Sequence, residues 1–290
     1  MQATQLIQLI RVRQWIKNLF VFIPPFFAAS LTIPSFIQSL ATFFAFSFVA
    51  SSVYVVNDYV DIEQDRLHPI KKNRPLAAGA IHKREAEFVF VVLLVVGISI
   101  AIWLNSLLLL ALLAGYFAMN IAYSLKLKHL AIIDILTIAI GFLLRVFAGA
   151  AVEQIFVSHW LILLTFLLAL VLALGKRRGE LMHQSTATTT RKVLEGYNLQ
   201  FIDISLAVLV AITVVCYIMY TISEEVMTRV NNPYIYFSTI FVLLGFMRYF
   251  QQTFVFQRTE SPSDFLLKDR FLQVIILLWI GFFAYILYYH

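Results

Sequence analysis

The residues best suited to chemistry in this sequence are Asn57, Asp58, Asp61 and Asp65, spaced N-D-x-x-D-x-x-x-D. Steps of three and four residues place the three aspartates on one face of a helix. Carboxylates stacked in that way repel one another unless a cation bridges them, so the pattern asks for a divalent metal at Asp58, Asp61 and Asp65. Without His or Cys at ligand spacing, a hard ion such as Mg2+ is favoured over Zn2+, and Mg2+ commonly takes one or two carboxylates together with substrate phosphates. The plainer alternative is a solvated helix end. Against it, Asp58 directly follows Tyr54-Val55-Val56-Asn57 in an apolar run, and an aspartate at membrane depth costs about 2.5–3.5 kcal/mol on insertion scales. Arg66, Lys71, Lys72 and Arg74 come next in the chain. Their side chains can neutralise phosphate oxygens, Arg by two-point contact and Lys as a point charge.

The elements that must position these groups are membrane helices. Of 290 residues, 61% are hydrophobic and 13% charged, and the mean hydropathy is +0.85, outside the balance of soluble domains. A transmembrane helix needs roughly 20 mostly apolar residues. Such stretches lie near 19–33, 38–56, 86–104, 107–123, 131–150, 158–174, 202–222, 233–250 and 271–289, which predicts a bundle of nine transmembrane helices. The runs are continuous, whereas a barrel would show short alternating segments. With the N-terminus in the cytoplasm, 20 of the 22 Lys and Arg residues fall on the cytoplasmic side; Arg145, inside span five, and Arg229 are the others. That partition predicts an N-in, C-out topology.

The net charge of +6 points to anionic lipid headgroups and phosphorylated substrates rather than nucleic acid, because the bases hug the membrane and no soluble domain carries them. Cys216 is alone in an apolar span, which excludes a disulfide framework and a cysteine metal site. The basic start and apolar run to Ala28-Ala29-Ser30 has the outline of a signal peptide, but Pro24-Pro25 interrupts it and further spans follow. The oligomeric state is not legible.

Beyond these residues, the chain resembles the UbiA superfamily of membrane transferases. The marks are the aspartate motif at the end of span two, the predicted helix count, and Tyr123-x-x-Lys126 at the end of span four. Four stretches are similar to one branch, the decaprenyl-phosphate 5-phosphoribosyltransferases: RVRQWIKNLFVFIPP at 11–25, NDYVDIEQDRLHPIKKNRPLAAG at 57–79, YSLKLKHLAIIDILTIAIGFLLRVFAGA at 123–150 and LALGKRRGEL at 172–181. The resemblance implies a single transferase domain over 1–290 in a bacterial inner membrane, its site facing the cytoplasm. Ordinary polyprenyltransferases of the superfamily carry a second Asp-rich motif after span six. Here that place reads Gly175-Lys176-Arg177-Arg178-Gly179-Glu180. More fixed positive charge and fewer metal ligands suit a donor with a phosphate beyond its diphosphate, although the segment also reads as a basic membrane-surface patch.

Together, resemblance and charge imply transfer of 5-phosphoribose from phosphoribosyl pyrophosphate to a polyprenyl monophosphate, with Mg2+ as cofactor, for lipid-linked arabinose and cell-wall precursors. Asp58, Asp61 and Asp65 are then metal and diphosphate ligands, and Asn57 orients substrate oxygens. Arg66, Lys71, Arg74, Lys126, Lys176 and Arg177 are phosphate ligands, Lys126 with Tyr123 on the same helix face. Lys17 is a phosphate ligand or an interface anchor. Asp134 needs a metal, a lysine or a sugar hydroxyl opposite it, and Glu180 either pairs with Lys176 or binds substrate. His68 is a turn residue or a substrate contact. Arg145 lies eleven residues beyond Asp134, roughly 16 Å along one helix, too far for a direct pair; it snorkels, pairs with another helix or lines a lipid tunnel. The nearest rival is an aromatic polyprenyltransferase, which should want a second acidic cluster. A transporter would spread its acids through the bilayer rather than gather them near one face.

Overall fold

The computed structural model describes residues 3–67, 71–182, 192–257 and 267–289. Every regular element among them is helical. Helix α1 (Ala3–Leu9) leads into a 3-10 segment, Val12–Phe22, and a short helix α2 (Ile23–Phe27). The sequence predicts a first span over 19–33, and this stretch is not one α-helix. Pro24 and Pro25 are buried in the first turn of α2, where their missing N–H groups are tolerated but an i→i−4 ladder cannot run through from the residues before them. Among the described residues, eight helices rather than nine are long and apolar enough to cross a membrane.

The described chain divides into two compact units, Met1–Val157 with Thr186–Gly196, and Ser158–Ser185 with Tyr197–His290. In the first, α3 (Ile33–Val60) is the hub, followed by α4 (Ile62–Leu67), α5 (Lys83–Trp103), α6 (Leu107–Leu125) and α7 (Ile133–Glu153). Ala45, Phe46, Val49, Ala50 and Val53 of α3 pack against Ala101, Leu109, Leu113, Tyr116, Ala148 and Ala151. Small residues let backbones approach closely where apolar side chains gain nothing by leaving lipid. A Cβ on Gly97 would lie 2.9 Å from Val49 Cγ2, and one on Gly149 would lie 1.9 Å from the Val21 carbonyl oxygen. A second cluster, Leu9, Val55, Ile62, Leu76, Ile81, Ala86, Val89 and Leu93, clamps the turn that carries the aspartates.

The second unit contains α8 (His159–Met182), α9 (Leu199–Ile222), α10 (Glu224–Val230), a 3-10 turn Pro233–Ser238, α11 (Thr239–Phe250), a π-turn Gln251–Val255 and α12 (Arg270–Tyr289). Trp279 Nε1 donates to Tyr217 Oη at 2.7 Å, and Tyr217 Oη shares a 2.8 Å hydrogen bond with Ser238 Oγ, so a polar knot ties α9, the 3-10 turn and α12. Large apolar side chains such as Ile33, Phe88 and Leu107 point outward, more than two-thirds exposed. On a helix whose backbone groups are satisfied internally, such a surface suits hydrocarbon. The protein is a multi-pass, all-helical membrane protein.

Candidate functional site

Asp58 sits in the last turn of α3, Asp61 at the joint between α3 and α4, and Asp65 within α4. The helical ladder continues across the joint: Asp61 N–H donates to Asn57 O at 3.0 Å and Asp65 N–H to Asp61 O at 2.8 Å. Asp58 and Asp65, two turns apart, therefore share a face, and both are buried. Asp61 has φ −93° and ψ 7°, and its side chain takes a different partner.

Cations from three parts of the chain meet these acids. Arg74 Nη1 donates to Asp58 Oδ1 at 3.1 Å and to Asp65 Oδ2 at 2.6 Å, so one guanidinium nitrogen bridges two buried carboxylates. Arg11 pairs with Asp58 through Nη2 and stacks over the Tyr54 ring at 4.9 Å. Lys128 Nζ donates to Asp61 Oδ1 at 2.6 Å. The repulsion expected among the aspartates is relieved by these side chains. Among the described residues no group of three or more His, Cys, Asp or Glu converges as a metal shell; the expected three-aspartate set is split, with Asp58 and Asp65 on Arg74 and Asp61 on Lys128.

The approach of Arg11 is built residue by residue. Ser47, Ser51, Tyr54 and Asp58 follow one another at steps of four, three and four, making one stripe of α3. Asn18 Nδ2 donates to Ser47 Oγ at 2.8 Å, Trp15 Nε1 to Ser51 Oγ at 3.0 Å, and Ser51 Oγ to Ile10 O at 2.7 Å. The 3-10 segment thus lies in register along α3, with Arg11 at its head in the left-handed region at φ 52°. Arg11 and Lys128 enter the sequence reading as topology charges and as members of the stretches 11–25 and 123–150, with no role at the aspartates. The signal for Arg11 was its place in RVRQWIKN; the α3 stripe becomes legible only once the segment is docked.

Other expected residues divide. Arg66 is exposed and turns from the aspartates to Glu63 at 3.1 Å and the Ala77 carbonyl at 3.2 Å. Lys71, Lys17, Asn57 and Tyr123 are half-buried, and Lys126 is exposed, while Lys128, two residues on, reaches the acid. Asp134 is fully buried in the first turn of α7. His68 lies outside the described residues. Arg145 neither snorkels nor seeks an acid: it is buried, with Nε on Asn18 Oδ1 at 2.7 Å, Nη1 on Gly141 O at 2.6 Å and Nη2 on Tyr116 Oη at 3.1 Å. Phe46, Tyr116 and Phe142 rings lie 4.9–5.5 Å from its guanidinium, an arrangement that stabilises a desolvated cation. Of the three fates open to Arg145, pairing across helices is the one observed.

In the second unit, Lys176, Arg177 and Glu180 lie on the last turns of α8. Lys176 Nζ is 4.0 Å from Glu180, whereas Arg177, fully buried, binds Glu180 at 2.5 Å. Arg178 is committed elsewhere, to Asp203 at 2.7 Å and the Thr253 carbonyl at 2.8 Å. That carbonyl belongs to the π-turn, whose wider winding displaces backbone acceptors from the α-helical ladder. A Cβ on Gly175 would fall 1.7 Å from Tyr249 Oη, so α8 requires glycine where that ring crosses it. Of the three consecutive bases, Lys176 reaches furthest into solvent, with its side chain 43% exposed.

The UbiA prenyltransferase family profile matches residues 18–178. A decaprenyl-phosphate phosphoribosyltransferase of Mycolicibacterium smegmatis is 34% identical over 288 residues, 95% of this chain and 90% of that protein. Its namesake in Corynebacterium glutamicum is 30% identical over 283 residues, 96% of this chain and 85% of the other. A UbiA homolog from Archaeoglobus fulgidus, solved bound to GPP and Mg2+, superposes with a TM-score of 0.69 at 20% identity, covering 98% of this chain and 99% of that one, a likeness of fold. By the extent of the profile match and by near full-length identity above 30%, the chain belongs to the UbiA prenyltransferase family.

Proposed function

We propose that this protein transfers 5-phosphoribose from phosphoribosyl pyrophosphate to a polyprenyl monophosphate and releases pyrophosphate. The observation that carries the reading is the two-carboxylate, multi-cation cluster of Asp58, Asp65, Arg74 and Arg11, in a chain whose full-length relatives bear that enzyme's name. The donor set fits a hard divalent ion. Two buried carboxylates already share one cationic nitrogen, and Mg2+ characteristically takes one or two carboxylates and completes its shell with substrate phosphates and water. Asp58 and Asp65 would hold Mg2+, which when bound supplies Lewis-acid stabilisation to the departing pyrophosphate. Asp61 is assigned to the same diphosphate-binding turn, and Asn57 to orienting substrate oxygens.

The chain's own residues then have three tasks. Arg74, Lys71 and Arg66 neutralise donor oxygens, which lets two anionic substrates approach. Lys17, Tyr123, Lys126 and Asp134 are assigned to substrate contacts. The lipid phosphate oxygen attacks the anomeric carbon as the bond from that carbon to pyrophosphate oxygen breaks. The nucleophile is already anionic near neutral pH, so no strong general base is required, and charge on the sugar resembles an oxocarbenium ion. Lys176, Arg177 and Glu180 are assigned to substrate binding.

The prenyltransferase rival is tested by giving the purified protein both donors. With Mg2+, phosphoribosyl pyrophosphate and polyprenyl phosphate should yield a phosphoribosylated lipid, while geranylgeranyl diphosphate with an aromatic acid should yield no prenylated acid; the reverse outcome would overturn the reading. Lys176→Gln should weaken donor binding about ten- to a hundred-fold, the loss of a charge-assisted hydrogen bond worth about 1.5–3 kcal/mol, and change the apparent affinity for lipid phosphate much less. Loss confined to the lipid would reassign Lys176 to the acceptor. Arg177→Gln should show the same donor loss together with a lower melting temperature, because its side chain is buried on Glu180.

The family resemblance and the distribution of bases also support a site facing the cytoplasm, where soluble sugar phosphates are made. Single cysteines at Lys72, an exposed position two residues before Arg74, and at Lys176 in a Cys216→Ser background should react with a membrane-impermeant maleimide only from the cytosolic side. Labelling from outside would reverse the topology.

A further inference from the structure

In this structure Arg11 occupies the carboxylate that the proposed reading assigns to a metal. It pairs with Asp58, which is 2% exposed, and its own side chain is 23% exposed. The arrangement is held from several directions. The guanidinium stacks on Tyr54, the preceding carbonyl of Ile10 is bound by Ser51, and Trp15 and Asn18 fix the following segment to the same stripe of α3. Arg11 also adopts a left-handed backbone, a conformation that costs free energy in a non-glycine residue and persists only where its surroundings over-determine it. Asp58 has a second cation, Arg74, which also binds Asp65. Asp58 is therefore doubly compensated, and a bare divalent ion would enter against the charge of two guanidinium groups.

We propose that Arg11 is an exchangeable counter-cation: it neutralises Asp58 before substrate arrives, yields that carboxylate when metal and donor enter together, and then pairs with a donor phosphate oxygen. The inference rests on the phosphoribosyltransferase reading and adds to it an order of events. Metal alone binds weakly because it must compete with Arg11. Metal accompanied by a polyanion binds well because the phosphates give the displaced guanidinium a new partner. By linkage, each then strengthens the other's binding by the same factor. Nothing covalent changes; one ion pair is traded for another.

The test uses the full-length protein in detergent with Mn2+ as spectroscopic probe, its free concentration followed by electron paramagnetic resonance. Arg11→Gln should bind Mn2+ alone about tenfold or more tightly than wild type, since a unit positive charge at contact distance has gone. It should bind phosphoribosyl pyrophosphate in the presence of Mn2+ about tenfold more weakly. Arg11→Lys should restore wild-type behaviour toward Mn2+ alone, and Arg13→Gln, at an exposed position two residues away, should leave it unchanged. If Arg11→Gln does not fold, Arg11→Met, whose stem keeps the stacking on Tyr54, carries the same expectations. Unchanged or weaker Mn2+ binding in the charge-removing variant overturns the exchange while leaving the transferase reading standing. Wild type that binds no Mn2+ even with the donor present overturns both.

Discussion

Asp58→Asn and Asp65→Asn should each lower turnover by about two to three orders of magnitude, and Asp61→Asn should also be strongly impaired. An amide keeps the size of the carboxylate but removes the charge that holds a metal or orients a phosphate-binding guanidinium. Loss of Lewis-acid stabilisation is worth several kcal/mol in the transition state, and each 1.36 kcal/mol is tenfold in rate. Asp58 and Asp65 share Arg74, so the double variant should fall little further than either single one, as expected for groups in one network. A trivial cause must be separated from this. Removing one partner of a buried ion pair can cost about 3–5 kcal/mol of stability, and Asp58 is nearly inaccessible. Turnover at saturating substrate should therefore be read beside the melting temperature in detergent. Near-normal rates in all three folded variants would remove the aspartates from the chemistry.

Gly149→Ala should destabilise the first unit by about 1–3 kcal/mol or more, the range for overpacking a well-filled interior, and should reduce activity without touching any charged residue. The added Cβ would meet the Val21 carbonyl oxygen at 1.9 Å and its carbon at 2.7 Å, atoms of backbone that cannot rotate aside. Relief requires the Val12–Phe22 segment to move off α7. That segment carries Asn18, Trp15 and the attachment of Arg11 to Asp58, so a packing change far along the chain should loosen the polar cluster. Gly115→Ala is the control: nothing lies within 4 Å of its Cβ, and in the middle of α6 alanine should be neutral or slightly stabilising. Thermal melts and turnover for the two variants should separate clearly. Equal stability would mean that α7 and the 3-10 segment are not held at this approach.

The aspartate turn was legible in the sequence because its information is local: spacing of three and four residues places carboxylates on a helix whatever the rest of the chain does. The long apolar runs were legible for the same reason, and α3, α5, α6 and α7 lie where hydrophobicity puts them. What the aspartates touch was not local. Arg11, 47 residues before Asp58, and Lys128, 67 residues after Asp61, are ordinary positive-inside charges until helices bring them together. The first predicted span is not one α-helix because hydropathy counts Pro24 and Pro25 as compatible with an apolar run, while their missing donors interrupt the backbone ladder. Arg145 was ambiguous because a lone intramembrane cation has several possible fates. Its selection depends on Asn18, Tyr116 and Phe46, which come from three other elements.

The central claim is most directly tested by the stoichiometry of one reaction. Purified protein is incubated with Mg2+, phosphoribosyl pyrophosphate labelled in the ribose, and polyprenyl phosphate, and both the label in the lipid phase and the pyrophosphate released are measured. One pyrophosphate should appear for each phosphoribose transferred, with both products lost on chelation of the metal and in Asp58→Asn. Pyrophosphate release without labelled lipid, or labelled lipid formed equally well by Asp58→Asn, would contradict the account.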